Sequence, residues 1–369
     1  MSNRTAWRDR VRLAAFFAAL ALKERVLPWL HVQPLVAELF LTENCNLRCV
    51  SCNCWRETTN DELTTDEWKA VLDQLRARRI VKVNITGGEP LIRRDCIELL
   101  AYATSIGIPQ LHLNTNGLLL DEQRRTAVLE AGVRSFNLSI DGPTAAVHDR
   151  IRGRVGAFDR THDHLQALVD ERPRLGLKLR MNFTVMRTNV AELPGIAAMA
   201  QRLEVPLYLN LATDTTFLFR APGVSALAAV DPTALHHALA ELEDMLRRDR
   251  RFLPRPADLR YLRRHFTEPL QRDVPCAESQ LKLMVHSRGE IGGCWAEDPS
   301  MNVRERSISS VIDSPEYRQE HARLFRKDCV GCGSNYSLNL RWRPSTYATD
   351  AAWRLKRIRI DSDAAGRAR

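Results

Sequence analysis

Thr42-Glu-Asn-Cys45-Asn-Leu-Arg-Cys49-Val-Ser-Cys52-Asn-Cys54-Trp55 follows directly on the mostly apolar run Val36 to Leu41. Three cysteines spaced C-x3-C-x2-C, on a loop leaving a strand, can wrap one cubane [4Fe-4S] cluster but supply only three of its four ligands. One iron is left open, and an open iron is a place for a substrate or cofactor to chelate. A tetrahedral structural zinc takes four N/S ligands, usually as two separated pairs. This triplet is asymmetric and has no neighbouring His, so iron and sulfur lead, with a zinc knuckle or a redox cysteine cluster as the alternative.

Working outward, short extended runs alternate with helical runs from residue 36 on, the pattern of a parallel sheet with crossover helices. Thr64 and Glu67 make a capping box, with Trp68, Val71, Leu72 and Leu75 at helical spacing behind it. Cys96, Leu99, Leu100 and Ala103 form a similar stripe, which places Cys96 in the core. The strands say more. Val81, Val83 and Ile85 alternate with Lys82, Asn84 and Thr86, and Leu111 and Leu113 with His112 and Asn114. The same holds for Phe136, Leu138 and Ile140 among Ser135, Asn137 and Ser139, for Leu179 to Val185, and for Leu207 to Leu211. A parallel strand buried on both sides reads as a continuous apolar run. These do not, so the apolar face meets the helices and the polar face lines a wet or ligand-filled interior. With Val36 to Leu41 as the first strand, an open, six-stranded α/β partial barrel fits. An antiparallel sheet with one solvated face is the alternative, and the intervening helices argue against it.

Active sites of such barrels lie at the C-terminal ends of the strands. The second strand ends in Thr86-Gly87-Gly88-Glu89-Pro90, where two glycines let the backbone approach a ligand. The third ends in Asn114-Thr115-Asn116-Gly117 and the fourth in Ser139-Ile140-Asp141-Gly142. Together with the cysteine triplet, these segments resemble the radical S-adenosylmethionine (SAM) superfamily, over roughly residues 36 to 211. The resemblance implies a partial (β/α)6 TIM-like barrel and a cluster on Cys45, Cys49 and Cys52 that cleaves SAM reductively to a 5'-deoxyadenosyl radical. It also implies that Gly87, Gly88 and Glu89 hold the SAM amino group. Asn114, Asn116, Ser139, Asp141 and Asn182 would contact its ribose and carboxylate. Two residues depart from the family pattern: Ser51 stands where an aromatic residue is common, and Cys54 is an extra cysteine, read as a small buried side chain or as a hydrogen donor to substrate.

Residues 212 to 275 read as a loop and two helices, the first capped by Asp231 with Pro232 behind it. Leu281 to His286, a Ser287-Arg288-Gly289 turn and Glu290 to Cys294 read as a hairpin, and Ser314-Pro315 opens a helix leading to Cys329 and Cys332. Cys276, Cys294, Cys329 and Cys332 are enough thiolates for a second, closed [4Fe-4S] cluster. They resemble the one-cluster, twitch-like form of the SPASM extension, with a four-cysteine zinc ribbon as the alternative. The expected organisation is an N-terminal helical extension (1–35), the barrel (36–211), a helical bridge (212–275), a small iron–sulfur domain (276–343) and a basic tail (344–369).

The chain has 369 residues, nine cysteines and a net charge of +9. Cysteines in ligand spacing without a secretory signal point to a reducing compartment, the cytoplasm. Arginines gather in 247–264 and 341–369, but no nucleic-acid reader motif accompanies them, so nucleic-acid binding is not expected. The apolar run Leu13 to Leu22 is half what a membrane span needs. A helix packed on the barrel or on a partner is the default, with an interfacial membrane helix as the minor reading.

A saturated second cluster can accept an electron from a substrate radical, so the expected reaction is a net oxidation, and the resemblance adds an electron donor such as flavodoxin or ferredoxin. Epimerisation and peptide maturation are the alternatives within the family. An iron–sulfur electron carrier or a zinc-stabilised binding protein is the alternative outside it. The residues ahead of the barrel are few for a peptide leader-binding domain, which favours a small or carrier-bound substrate.

Overall fold

The computed structural model describes residues 3–56, 60–212, 228–267, 275–294 and 297–326. A first helix, α1 (Asn3–Arg25), leads into β1 (Val36–Phe40) and α2 (Thr65–Ala77), then β2 (Lys82–Thr86) and α3 (Cys96–Ser105). Next come β3 (Gln110–Thr115), α4 (Glu122–Glu130) and β4 (Ser135–Ser139), followed by the helix pair α5 (Ala145–Arg152) and α6 (Ala157–Leu175). The alternation continues through β5 (Lys178–Val185), α7 (Leu193–Arg202) and β6 (Leu207–Leu211). The strands lie side by side in chain order, each parallel to the last. This is the expected partial (β/α)6 barrel.

Local chemistry sets the ends of the helices. The Thr64 hydroxyl accepts from Glu67 N and the Glu67 carboxylate accepts from Thr64 N, so the capping box is formed. Strand alternation then decides which face is buried. Val83, Ile85, Leu111, Leu113, Phe136, Leu138, Met181 and Phe183 pack with Trp68, Leu72, Leu99, Leu165 and Ile196 of the helices in one core. Each such side chain contributes roughly 1.5–3 kcal/mol when fully buried. A slip of one residue would turn all of them to the other face, which fixes the register. Glu38, Asn84 and His112 lie on the opposite, inner face and are buried there, while Asn114, Asn137, Asn182 and Tyr208 are half-buried. Cys96 is in the apolar core.

Beyond the barrel, α8 (Pro232–Arg248) starts at the expected Asp231 cap and is followed by α9 (Pro256–Thr267). After α10 (Glu278–Leu281) the expected hairpin forms from β7 (Lys282–Val285) and β8 (Glu290–Gly292), with β9 (Met301–Asn302) beside it. The pairing of β7 is new: it runs parallel to β1, from Val36↔Lys282 to Leu39↔Val285. The sheet therefore continues across the boundary drawn at residue 276. Two helices follow, α11 (Ile308–Ile312) and α12 (Pro315–Phe325). Helix α1 buries Phe16 and Leu20 against Leu35, Val81, Ala277, Leu281 and Phe325, the packing expected by default for this segment. No described helix is long and apolar enough to cross a membrane.

Candidate functional site

The cysteine loop leaves β1 and is held from both sides by backbone. Gly88 N donates to Thr42 O (2.7 Å) and Glu89 N to Asn44 O (2.9 Å), while Val50 N donates to Ile151 O (2.9 Å) at the end of α5. A side chain at Gly88 would sit 2.6 Å from Glu43 O, and one at Gly87, where φ is +136°, would run into Thr42 O. These glycines are thus demanded by the loop lying on the end of β2, whatever ligand they also admit. Gly153, with φ +67°, does the same on the other side, because a Cβ there would meet Arg48 O at 2.5 Å.

Cys49 is buried, and Cys45 and Cys52 are half-buried among Leu47, Leu118 and Ala157. Burial pushes the Cys45 thiol up to about 11 and that of Cys49 up to about 12. Cys52 is lowered to about 7, chiefly by its hydrogen bond with Cys54, whose own thiol is raised by the same bond and by burial. Cys54 is therefore buried against Cys52, in the cysteine loop itself.

One cation serves the group. Arg152 Nη1 lies 3.8 Å from Cys49 Sγ, and its Nη2 pairs with Asp141 Oδ2 at 2.7 Å. Three thiols of one loop that act electrostatically on one another, two of them costly to ionise alone, suit a group that brings its own positive charge and takes thiolates. Among the described residues no three such side chains stand close enough to hold a single ion, which favours a multi-iron cluster over one metal. The donor set thus fits an iron–sulfur cluster.

Glu89 is fully buried and its carboxylate is engaged. Oε1 accepts from Thr115 Oγ1 (2.8 Å) and Leu91 N (3.2 Å), and Oε2 from Asn116 N (2.8 Å). Burial outweighs these bonds and raises its pKa to about 7. Asn116 is committed as well: its amide donates to Asn46 Oδ1 at 2.7 Å and accepts from Leu118 N at 3.0 Å. Asp141, buried, accepts from Thr184 N at 2.8 Å besides pairing with Arg152. Burial raises its pKa, against the pull of Arg152.

The remaining strand-end residues are more open. Asn114 is half-buried and accepts from Asn137 Nδ2 at 3.0 Å. Ser139 and Asn182 are register partners on β4 and β5, and the Asn182 amide oxygen is buried without a partner. The predicted contacts therefore fall into two groups: Glu89, Asn116 and Asp141 hold strand ends and loop together, and Asn114, Ser139 and Asn182 face the interior. Sequence reasoning missed Arg152, Thr115 and Asn137. The Asn114 and Asn137 pairing follows from the alternation, whereas nothing in the local pattern marks Arg152.

Of the second cysteine set, Cys276 N donates to Phe325 O (3.1 Å), and Gly293, next to Cys294, lies so close to the His321 ring that no side chain could replace its hydrogen. Both cysteines are thus brought to α12. Cys329 and Cys332 lie outside the described residues.

A parallel partial barrel with three clustered thiols and a glycine turn at the C-terminal ends of its strands defines the class, and comparison with known proteins agrees. Residues 39–189 match the family model described as the radical SAM superfamily, so the chain carries a radical SAM domain. It is 34% identical over 165 residues to an AdoMet-dependent heme synthase of Oleidesulfovibrio alaskensis, covering 44% of this chain and 41% of that one. It is 34% identical over 173 residues to a PqqA peptide cyclase of Rhodopseudomonas palustris, covering 46% of this chain and 45% of the relative. The chain spans less than half the length of these two relatives. Among solved structures, Streptococcus suis SuiB bound to S-adenosylmethionine shares the fold with a TM-score of 0.60 at 18% identity, over 78% of this chain and 67% of that one.

Proposed function

We propose that the protein is a radical SAM enzyme that oxidises its substrate by two electrons. A [4Fe-4S] cluster and SAM, when bound, supply a 5'-deoxyadenosyl radical that removes a hydrogen atom from substrate. Cys45, Cys49 and Cys52 would ligate the cluster, with Arg152 offsetting thiolate charge. Gly87, Gly88, Asn114, Ser139 and Asn182 would contact SAM directly. Glu89, Asn116 and Asp141 would act through the strand ends they hold. Cys276, Cys294, Cys329 and Cys332 would hold an auxiliary [4Fe-4S] cluster that accepts the second electron, with a flavodoxin or ferredoxin as the external donor.

The observation that carries this reading is the meeting of three thiols, a guanidinium and the Gly87-Gly88 turn over a polar barrel interior. A peptide substrate has equal standing with a small or carrier-bound one, since a relative is named as a peptide cyclase. Iron analysis after anaerobic reconstitution tests the two-cluster form: about eight irons per chain are expected, and about four would remove the auxiliary cluster.

A further inference from the structure

The barrel interior carries charge that the strand-end site does not use. Lys282 Nζ bridges Glu38 Oε2 (2.8 Å) and Glu278 Oε1 (2.5 Å), a trio with one negative charge in excess, so that Lys82 and Arg180 together bring this layer to one net positive charge. Two further cations share the interior. Lys82 opens β2 and Arg180 lies on β5, on the same inner face as Asn84 and Asn182 by strand alternation. They act electrostatically on each other and on His112, which places all three in one part of the barrel interior, where Glu38 and Lys282 also act on Lys82. Neither Lys82 nor Arg180 has a carboxylate within 4.0 Å among the described residues. His112, buried and held neutral by its burial, pairs with Ser135 Oγ at 2.7 Å and adds no negative charge.

A half-buried cation with no carboxylate beside it is costly, and Lys82 reports that cost: burial, Arg180 and Lys282 lower its pKa to about 8, against the pull of Glu38. Arg180 stays exposed to solvent, with its guanidinium near the Tyr208 ring (5.7 Å), so the space is reachable. Asn84, buried beside them, has an amide oxygen with no partner, which suits a donor group on the same ligand.

We propose that Lys82 and Arg180 form an anion subsite inside the barrel that binds a carboxylate or phosphate group of the substrate. This deepens the proposed function and rests on it for the word substrate. Arg180 precedes Val185, the end of β5, by five residues and Lys82 precedes Thr86, the end of β2, by four, so at about 3.3 Å per residue the subsite lies roughly 13–17 Å below the strand ends. The substrate it fits is elongated, with its anionic end deep in the barrel and its reacting carbon at the cysteine end.

Calorimetric titration of the anaerobically purified protein with inorganic phosphate and with glutarate, without reductant, tests this. One of the two should bind, and whichever binds more tightly names the group. Lys82→Met and Arg180→Met should each weaken that anion about tenfold or more, because each removes a charge-assisted hydrogen bond. Lys82→Arg and Arg180→Lys should recover part of the loss, which separates lost charge from lost folding. Lys69→Met, which removes an outer cation paired with Glu98, should bind the anion as the parent does.

Absence of anion binding in the parent, or equal affinity in parent and both Met variants, would overturn the subsite. The binding readout needs no turnover, and SAM cleavage by the parent is assayed separately. If the Met variants lose the anion while the parent does not cleave SAM, the subsite stands and the radical reading falls. If the parent cleaves SAM while the variants bind the anion unaltered, the radical reading stands and the subsite falls.

Discussion

Replacing Glu89 by Gln should change stability by an amount that depends on pH, and the sign follows from burial. The carboxyl titrates at about 7 in the folded chain against an ordinary 4.5. The folded state therefore holds this proton more tightly than the unfolded one. Stability from this group is full below about 4.5 and falls as pH rises through about 7, by roughly 3 kcal/mol in all. Gln has no such dependence. It must keep its oxygen on Asn116 N–H and turn its NH2 towards Thr115, which leaves Leu91 N–H facing a donor. One lost hydrogen bond costs about 1–3 kcal/mol. Glu89→Gln should thus be about 1–3 kcal/mol less stable than the parent below the window. Above it, the two should be nearly equal, or the variant the more stable. Urea unfolding of both proteins under anaerobic conditions on either side of the window reads the difference. A constant deficit across pH would show that the Glu89 carboxyl titrates in the folded chain as it does in the unfolded one and refute the reasoning.

Three further outcomes are expected. Gly88→Ala, which sets a methyl group against the Glu43 and Asn44 carbonyls, should displace the cysteine loop and abolish iron loading at the first site while helix content measured by circular dichroism stays unchanged. Arg152→Met strands buried Asp141 and should cost about 3–5 kcal/mol, whereas the double change with Asp141→Asn should cost clearly less, as chemical denaturation would show. Glu89→Gln should weaken SAM affinity in equilibrium binding while iron content is unchanged, since Leu91 N–H loses its acceptor and the Gly87-Gly88-Glu89 turn loses the geometry that bond now sets.

The barrel was legible because its signals are local: the Thr64 and Glu67 cap, the Asp231 cap, and an alternation in five strands that can bury only one face. The cysteine loop and the Gly87-Gly88 turn were legible for the same reason. The use of those residues was less so. Gly87 and Gly88 looked like clearance for a ligand, but their first contact is the loop backbone, and Glu89 was expected to hold the SAM amino group, but Thr115, Leu91 and Asn116 occupy its carboxylate. Both depend on segments that come together only in the fold. Arg152 is one arginine among many until Asp141 and Cys49 are seen beside it. The parallel pairing of Lys282 with Val36 joins strands about 250 residues apart, and no local pattern encodes that.

The central claim is that the cysteine triplet and the strand ends beside it cleave SAM. The direct measurement is 5'-deoxyadenosine formation by anaerobically reconstituted, chemically reduced protein, compared with a variant carrying Ala at Cys45, Cys49 and Cys52. Deoxyadenosine and methionine in equal amounts from the parent, none from the variant, with about four irons fewer in the variant, is the result expected. No SAM cleavage by parent protein that carries its full iron, or zinc in place of iron at the triplet, would contradict the account.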